Sequence, residues 1–265
     1  MSIKVSSRFA FELGQVADVL LQFEAAAMPD QRILSAQLAI SESEAMARVP
    51  AQDNIGERIW LRAEGAINVD YEAEIEIDRL APDIASLTEL PSHRLPGEAV
   101  QYLLDSRYCR ADQFRHFVGA QFGTSSGGER VAAIRDWVER SFSYTPGSSS
   151  VSTDASESFI TRQGICRDYA HMVIALARAS TIPARYVACY SPGVDPQDFH
   201  AVAEVFLAEP DNPGGGAWQL VDATNMADPQ QTVKIGIGRD AADVSFLTSF
   251  GPSRFVSATV DAKIV

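Results

Sequence analysis

The sequence predicts an α+β protein, with a β-rich N-terminal part followed by helices and then more strands. Three observations carry this. Residues 67–78 alternate apolar and polar without a break. Two later segments, 129–142 and 166–180, carry apolar residues at helical spacing. Strand-like runs at 184–190, 200–208 and 217–223 follow them. Helices and strands grouped in separate runs mark an α+β chain.

Taken in order, the first 80 residues read as strands. Ile67, Val69, Tyr71, Ala73, Ile75 and Ile77 alternate with acids and Asn68, so one face meets a core and the other meets water. Apolar runs at 3–13, 17–25, 32–40 and 55–62 are separated by turn formers such as Met28-Pro29-Asp30. This spacing predicts an antiparallel sheet or sandwich. Pro82, Pro91, Pro96 and Gly97 then punctuate a stretch without period, read as a boundary loop. The expected division is a β-sandwich-like domain over 1–95 and a second domain over 96–265. In the second part Val131, Ile134, Val138 and Phe142 lie on one helical face. Asp154 with Glu157 forms a capping-box pattern that opens a short helix to about Thr161. Gly164 breaks that helix, and another runs from Cys166 to Ser180, stopped by Pro183.

The chain has 265 residues and a formal charge of −13, with a pI near 4.7. An acidic surface repels phosphate backbones and anionic lipid, so neither nucleic acid nor membrane is an expected partner. The preference for Arg, with Lys only at Lys4, Lys234 and Lys263, fits a GC-rich bacterial genome. Cys109, Cys166 and Cys189 make an odd number of cysteines, which points to a reducing compartment. Without a leader-like apolar segment at its start, the expected location is the cytoplasm.

Cys166 stands at the start of a helix, where free N–H groups and a partial positive charge favour a thiolate, and Arg167 adds a full charge beside it. His200 and Asp222 follow at the ends of strand-like runs, where their side chains can reach a neighbouring helix terminus. Cys, His and Asp in that order can build a relay. The imidazole takes the thiol proton, and the carboxylate fixes its tautomer.

The words around these residues extend the argument. GICRDYAHMVIALARASTIPARYVACY at 164–190 resembles the cysteine motif of the transglutaminase-like superfamily. FHAVAEVF at 199–206 resembles its histidine strand, and WQLVDATN at 218–225 its aspartate strand. YLLDSRYC at 102–109, FSYTPG at 142–147 and DASESFITRQ before the cysteine fit as well. The resemblance covers 100–225 well and 1–80 in outline, in the manner of bacterial two-domain cysteine-protease members. It implies a papain-like core, with a helix N-terminus carrying the Cys packed on an antiparallel sheet. It also implies Cys166, His200 and Asp222 as catalytic residues and carboxamide chemistry through a thioester. The substrate would be a peptide, a protein or a small amide.

Two positions depart from the family's pattern. Val202 stands where an aromatic residue is common, two after the histidine, and is expected to open the pocket wall. Ala223 replaces the proline of Asp-Pro-Thr and is expected to loosen the loop. With Val202 there, and Trp60, Trp137 and Trp218 the only tryptophans, little aromatic material is expected around the thioester. That favours hydrolysis over amine transfer. Transfer and a non-catalytic binding role are the alternatives. The Cys166 N–H and the Tyr144 hydroxyl, with Trp137 behind it, are the candidate oxyanion donors. His171 lies about 140° around the helix from Cys166 and is expected to be structural. No cofactor or metal is expected, since the densest acids alternate along one strand instead of converging.

Overall fold

The computed structural model describes residues 1–209 and 214–265. Strands β1 (Ser2–Leu21) and β4 (Glu57–Ile77) form one long antiparallel ribbon, with β2 (Gln31–Ile40) and β3 (Ala45–Pro50) along its β4 edge. The expected separate runs are thus fused in pairs. Where the sequence pauses at 14–16, β1 bulges between Leu13 paired with Gly65 and Ala17 paired with Ala63, and Gly65 takes a positive φ of 77°. A bulge bends the ribbon without ending its ladder. The ribbon curls so that Phe23, past the end of β1, meets Phe9 edge-on at 5.1 Å and Tyr71 at 5.7 Å. This single curled sheet wraps a core that runs from Ile3 to Ile77, as the alternation requires, and that also takes in Tyr190, Val233 and Ile235 from later in the chain. β3 was not legible, because its AMARVP is exposed or half-exposed throughout and carries no alternation.

The same sheet is completed from the far end of the chain. β11 (Leu247–Ser249) and β12 (Ser253–Ile264) pair with the outer edge of β1, Lys4 opposite Lys263 and Val19 opposite Ser249. These strands fall in the 96–265 segment by sequence but in the first sheet by hydrogen bonding. The stretch 81–98 is equally tied in. Leu87 and Leu90 are buried, and the carbonyls of Leu87 and Thr88 accept from Gly128 and Ala208.

The second unit is built on α5 (Cys166–Ala179). Around it lie α1 (Gly97–Val100), α2 (Arg115–Phe122), α3 (Gly127–Ser141), α4 (Ala155–Thr161) and the short parallel pair β5 (Ser143–Tyr144) and β6 (Gln163–Gly164). Asp154 caps α4 by accepting from Glu157 N–H at 2.9 Å, as its capping pattern predicts. An antiparallel sheet in the order β10–β7–β8–β9 completes the unit: β7 (Ala184–Tyr190), β8 (His200–Ala208), β9 (Gly216–Val221) and β10 (Val233–Gly238). α5 packs on β7 and β8 and is buried on nearly every face, not only the one that Ala170, Val173, Ile174 and Ala177 define. Among the described residues no helix is long and apolar enough to cross a membrane.

A buried charge cluster locks this sheet. Glu204 of β8 is fully buried and accepts from Arg185 Nε of β7 at 2.7 Å, while Lys234 of β10 pairs with its other oxygen. The Arg185 guanidinium lies 4.0 Å above the Trp218 ring of β9. One carboxylate therefore ties four strands together. Lys234 also joins the two sheets, its N–H donating to Gln31 Oε1 and its carbonyl accepting from Gln31 Nε2. Burial pushes the Glu204 pKa up, but the charges of Arg185 and Lys234 more than offset it, bringing it from 4.5 down to about 2. A depressed carboxylate contributes stability above its unfolded pKa that is lost as pH falls through the folded one. The shift corresponds to about 3 kcal/mol at neutral pH. We expect Glu204→Gln to lower the urea-unfolding free energy at pH 7 by about that amount. Between pH 4.5 and 2 the wild type should lose stability more steeply than the variant; parallel curves would contradict the assignment.

Candidate active site

The strand registers bring the predicted residues together. His200 opens β8 opposite Cys189, and Asp222 directly follows β9, which runs antiparallel to β8. The start of one strand and the end of the other meet at the same sheet edge. The first turn of α5 is held at that edge. Asp168 accepts from the Ile165 N–H at 2.9 Å, closing the helix start around Cys166. Gly164 is required here, since a Cβ would stand 2.6 Å from the Asp168 Cβ.

His200 Nε2 lies 3.1 Å from Asp222 Oδ2, both side chains almost wholly buried. The ring nitrogen left for a thiol is Nδ1, which is buried without a hydrogen-bond partner of good geometry. Cys166, 8% exposed, is the thiol beside the ring. Burial pulls the His200 pKa down. The hydrogen bond to Asp222, the neighbouring Cys166 thiol and the charges of both outweigh it and raise the imidazole from 6.5 to about 10. Burial likewise pushes Asp222 up, and the His200 pair and backbone donors bring it below the ordinary carboxylate value. Those donors are the N–H groups of Thr224 (2.8 Å), Met226 (3.1 Å) and Ala227 (2.8 Å), and the Thr224 hydroxyl stands 2.8 Å from both carboxylate oxygens. The loop after Asp222 is therefore fastened by the carboxylate, and Ala223, itself buried, does not loosen it as expected.

Tyr144 is carried to Cys166 by β5, whose Tyr144 pairs with Gly164 of β6. Burial first, then the Cys166 charge, push its hydroxyl up to about 12. The expected backing by Trp137 is not there. Tyr144 meets Tyr169 at 5.9 Å, whereas Trp137 packs with Phe117 and Phe159 beneath the Arg162 guanidinium. Arg167 lies on the cleft, but its guanidinium is engaged by the Ser150 carbonyl at 2.6 Å and by Asp168. His171 is buried, stacked on Tyr108 at 5.2 Å, and its Nε2 accepts from Ala241 N–H, a structural position as expected. Cys109 and Cys189 are fully buried and their thiols are raised well above the ordinary range by burial. Cys189 Sγ donates to the His200 carbonyl at 3.6 Å.

Cys166 and His200 open on a cleft of about 630 Å³. Its walls contradict one expectation. Val202 is not among them; it is buried with Tyr102, Val187 and Cys189 in a separate cluster. Aromatic side chains reach the cleft from elsewhere: Phe199, Phe246 and Phe255. Phe199 stood in the histidine word and was legible as a neighbour of His200. Phe246 immediately precedes β11 and Phe255 lies in β12, and no local pattern points from them to the site.

Comparison with known proteins accords with this geometry. A family model described as the transglutaminase-like superfamily matches residues 117–223. A solved structure from Cytophaga hutchinsonii, described as a "putative cysteine protease", is 28% identical and superposes with a TM-score of 0.91 over 99% of this chain and 90% of its own. An uncharacterised protein of Mycobacterium tuberculosis is 33% identical over 148 residues, 51% of this chain and 46% of that one. One of Mycobacterium leprae is 24% identical over 186 residues, 68% and 66% of the two chains. The chain thus spans about half the length of the Mycobacterium tuberculosis relative it matches. Residues 117–223 thus match the transglutaminase-like superfamily, and the fold is similar from end to end to that of the Cytophaga hutchinsonii structure.

Proposed function

We propose that the protein is a cysteine hydrolase of carboxamides, acting through a thioester on Cys166. The observation that carries this is the convergence of Cys166, at a helix start, on an imidazole that Asp222 orients. The description given to the Cytophaga hutchinsonii structure supports the same reading.

In this reading His200 holds the proton taken from the thiol, and its raised pKa keeps that proton at neutral pH. Cys166 Sγ attacks the carbonyl carbon, and the oxygen gains negative charge. In this reading the Cys166 N–H and the Tyr144 hydroxyl donate to it. As the C–N bond breaks, the His200 proton passes to the leaving amine. Water then attacks the thioester and gives a proton to His200, and the C–S bond breaks. The carboxylic acid leaves, the sulfur of Cys166 is freed, and the proton is back on His200 as at the start. Asp222 stays ionised throughout, held by its backbone donors.

Amine transfer is the second reading, and Phe199, Phe246 and Phe255 favour it, because apolar walls reduce the access of water to a thioester. Against it, the wall is open. Phe255 is 49% exposed. Transfer needs an amine to outcompete far more concentrated water, which takes a closed, aligned site.

Two measurements follow. With a peptide amide substrate and a labelled primary amine at millimolar concentration, released acid should exceed amine adduct; dominance of the adduct would replace hydrolase by transferase. In a pH–rate profile, kcat/KM should fall as pH rises through about 10, where His200 loses the proton needed by the leaving amine. Asp222→Asn removes the hydrogen bond and charge that raise the imidazole, so this alkaline limb should move to lower pH. The rate should drop by up to about 10⁴ if the precedent of the serine protease relay transfers. A limb that stays in place in the variant would separate Asp222 from the relay.

A further inference from the structure

The wall of the cleft that the relay leaves unused is built from both units. Phe199, one residue before His200, stacks face to face on Phe246 with centroids 5.0 Å apart, and Phe246 meets Phe255 edge-on at 5.8 Å. The wall is fixed from behind: Phe9 of β1 packs edge-on against both Phe199 (6.4 Å) and Phe246 (5.8 Å), and Tyr190 packs against Phe199. Its outer end, Phe255 on β12, is about half exposed, while Phe199 and Phe246 are half-buried. Leu247 and Ile235 line the same cavity, as does Asp198, which puts a carboxylate at the wall. Aromatic rings pinned by a second layer present apolar surface whose ordering cost is already met, the usual character of a pocket that selects by side chain.

We infer that this wall is a specificity subsite for a bulky apolar side chain on the acyl half of the substrate, with Phe246 and Phe255 as its floor and rim. The inference rests on the proposed cysteine chemistry and names its substrate class. Cys166, His200 and the three phenylalanines share one cavity of about 630 Å³, within the range that holds a small peptide segment. The acyl half stays in the cleft through both steps, so its side chain is the one that a fixed wall can hold throughout. The Asp198 carboxylate at the same wall disfavours an acidic side chain. On this account the curled sheet, through β12 and the segment before β11, has a direct part in substrate choice.

The test uses acetyl-phenylalanyl, acetyl-alanyl and acetyl-aspartyl chloromethyl ketones. In each a thiolate displaces chloride from the methylene and forms a C–S bond. Alkylation of Cys166 is followed by peptide mapping, and each rate is divided by that of iodoacetamide on the same protein. The phenylalanyl reagent should lead the alanyl by about tenfold or more, the scale on which apolar pockets discriminate, with the aspartyl slowest. Phe255→Ala, a change at a half-exposed position, should bring the phenylalanyl-to-alanyl ratio down to about threefold or less, and Phe255→Leu should restore most of it. Equal normalised rates in the wild type, or a ratio that Phe255→Ala leaves unchanged, would overturn the subsite while a reactive Cys166 leaves the proposed chemistry standing. If iodoacetamide spares Cys166 and alkylates Cys109 or Cys189, both fall together.

Discussion

The carboxylate of Asp222 is buried at the edge of a sheet, and a buried carboxylate is costly unless its charge is met by donors. Here three backbone N–H groups and the Thr224 hydroxyl meet it, and the remaining direction is taken by His200 Nε2. The rest of the site depends on this. The ring is oriented because the carboxylate is fixed, and Nδ1 is thereby left toward Cys166. The loop that supplies the donors is itself shaped by them, with Asn225 at a positive φ of 59°. A protein that spends this much hydrogen bonding on one carboxylate holds the imidazole in a single pose.

That pose needs a rigid sheet beneath it. Glu204 stands four residues along β8 from His200 and joins β7, β8 and β10 through Arg185 and Lys234, while Arg185 covers Trp218 on β9. Gln31 carries the restraint across to the curled sheet through both backbone groups of Lys234. The cleft wall and the relay are consequently positioned by one connected framework, whose curled sheet pairs β1 with β12 from opposite ends of the chain.

How much of this could be read beforehand follows from the range of the interactions. Period-two alternation at 67–78 and the helix from Cys166 are local, and the structure has both. So is the cap at Asp154. The order Cys166, His200, Asp222 was legible because each sits in a distinctive word; the registers bring His200 and Asp222 together, and the packing of α5 on β8 brings Cys166 to them. The wall was misread because its residues are distant in sequence. Val202 was judged by its nearness to His200, yet it is buried away from the cleft, while Phe246 and Phe255 arrive with strands that pair with β1 some 240 residues earlier. Trp137 was likewise placed behind Tyr144 by proximity, and packing sends it to the Phe117 and Phe159 cluster instead. A chain's far-end strands joining its first sheet leave no trace in a local pattern.

The central claim is that Cys166 carries the acyl group. It is tested most directly by incubating the protein with a peptide amide or its activated ester, quenching in acid and measuring the mass of each cysteine-containing peptide. The account predicts an added acyl mass on the peptide holding Cys166 and none on those of Cys109 or Cys189. That adduct and the turnover should both be absent in Cys166→Ala. An acyl group on another cysteine, no adduct on Cys166, or hydrolysis that persists in Cys166→Ala, would contradict it.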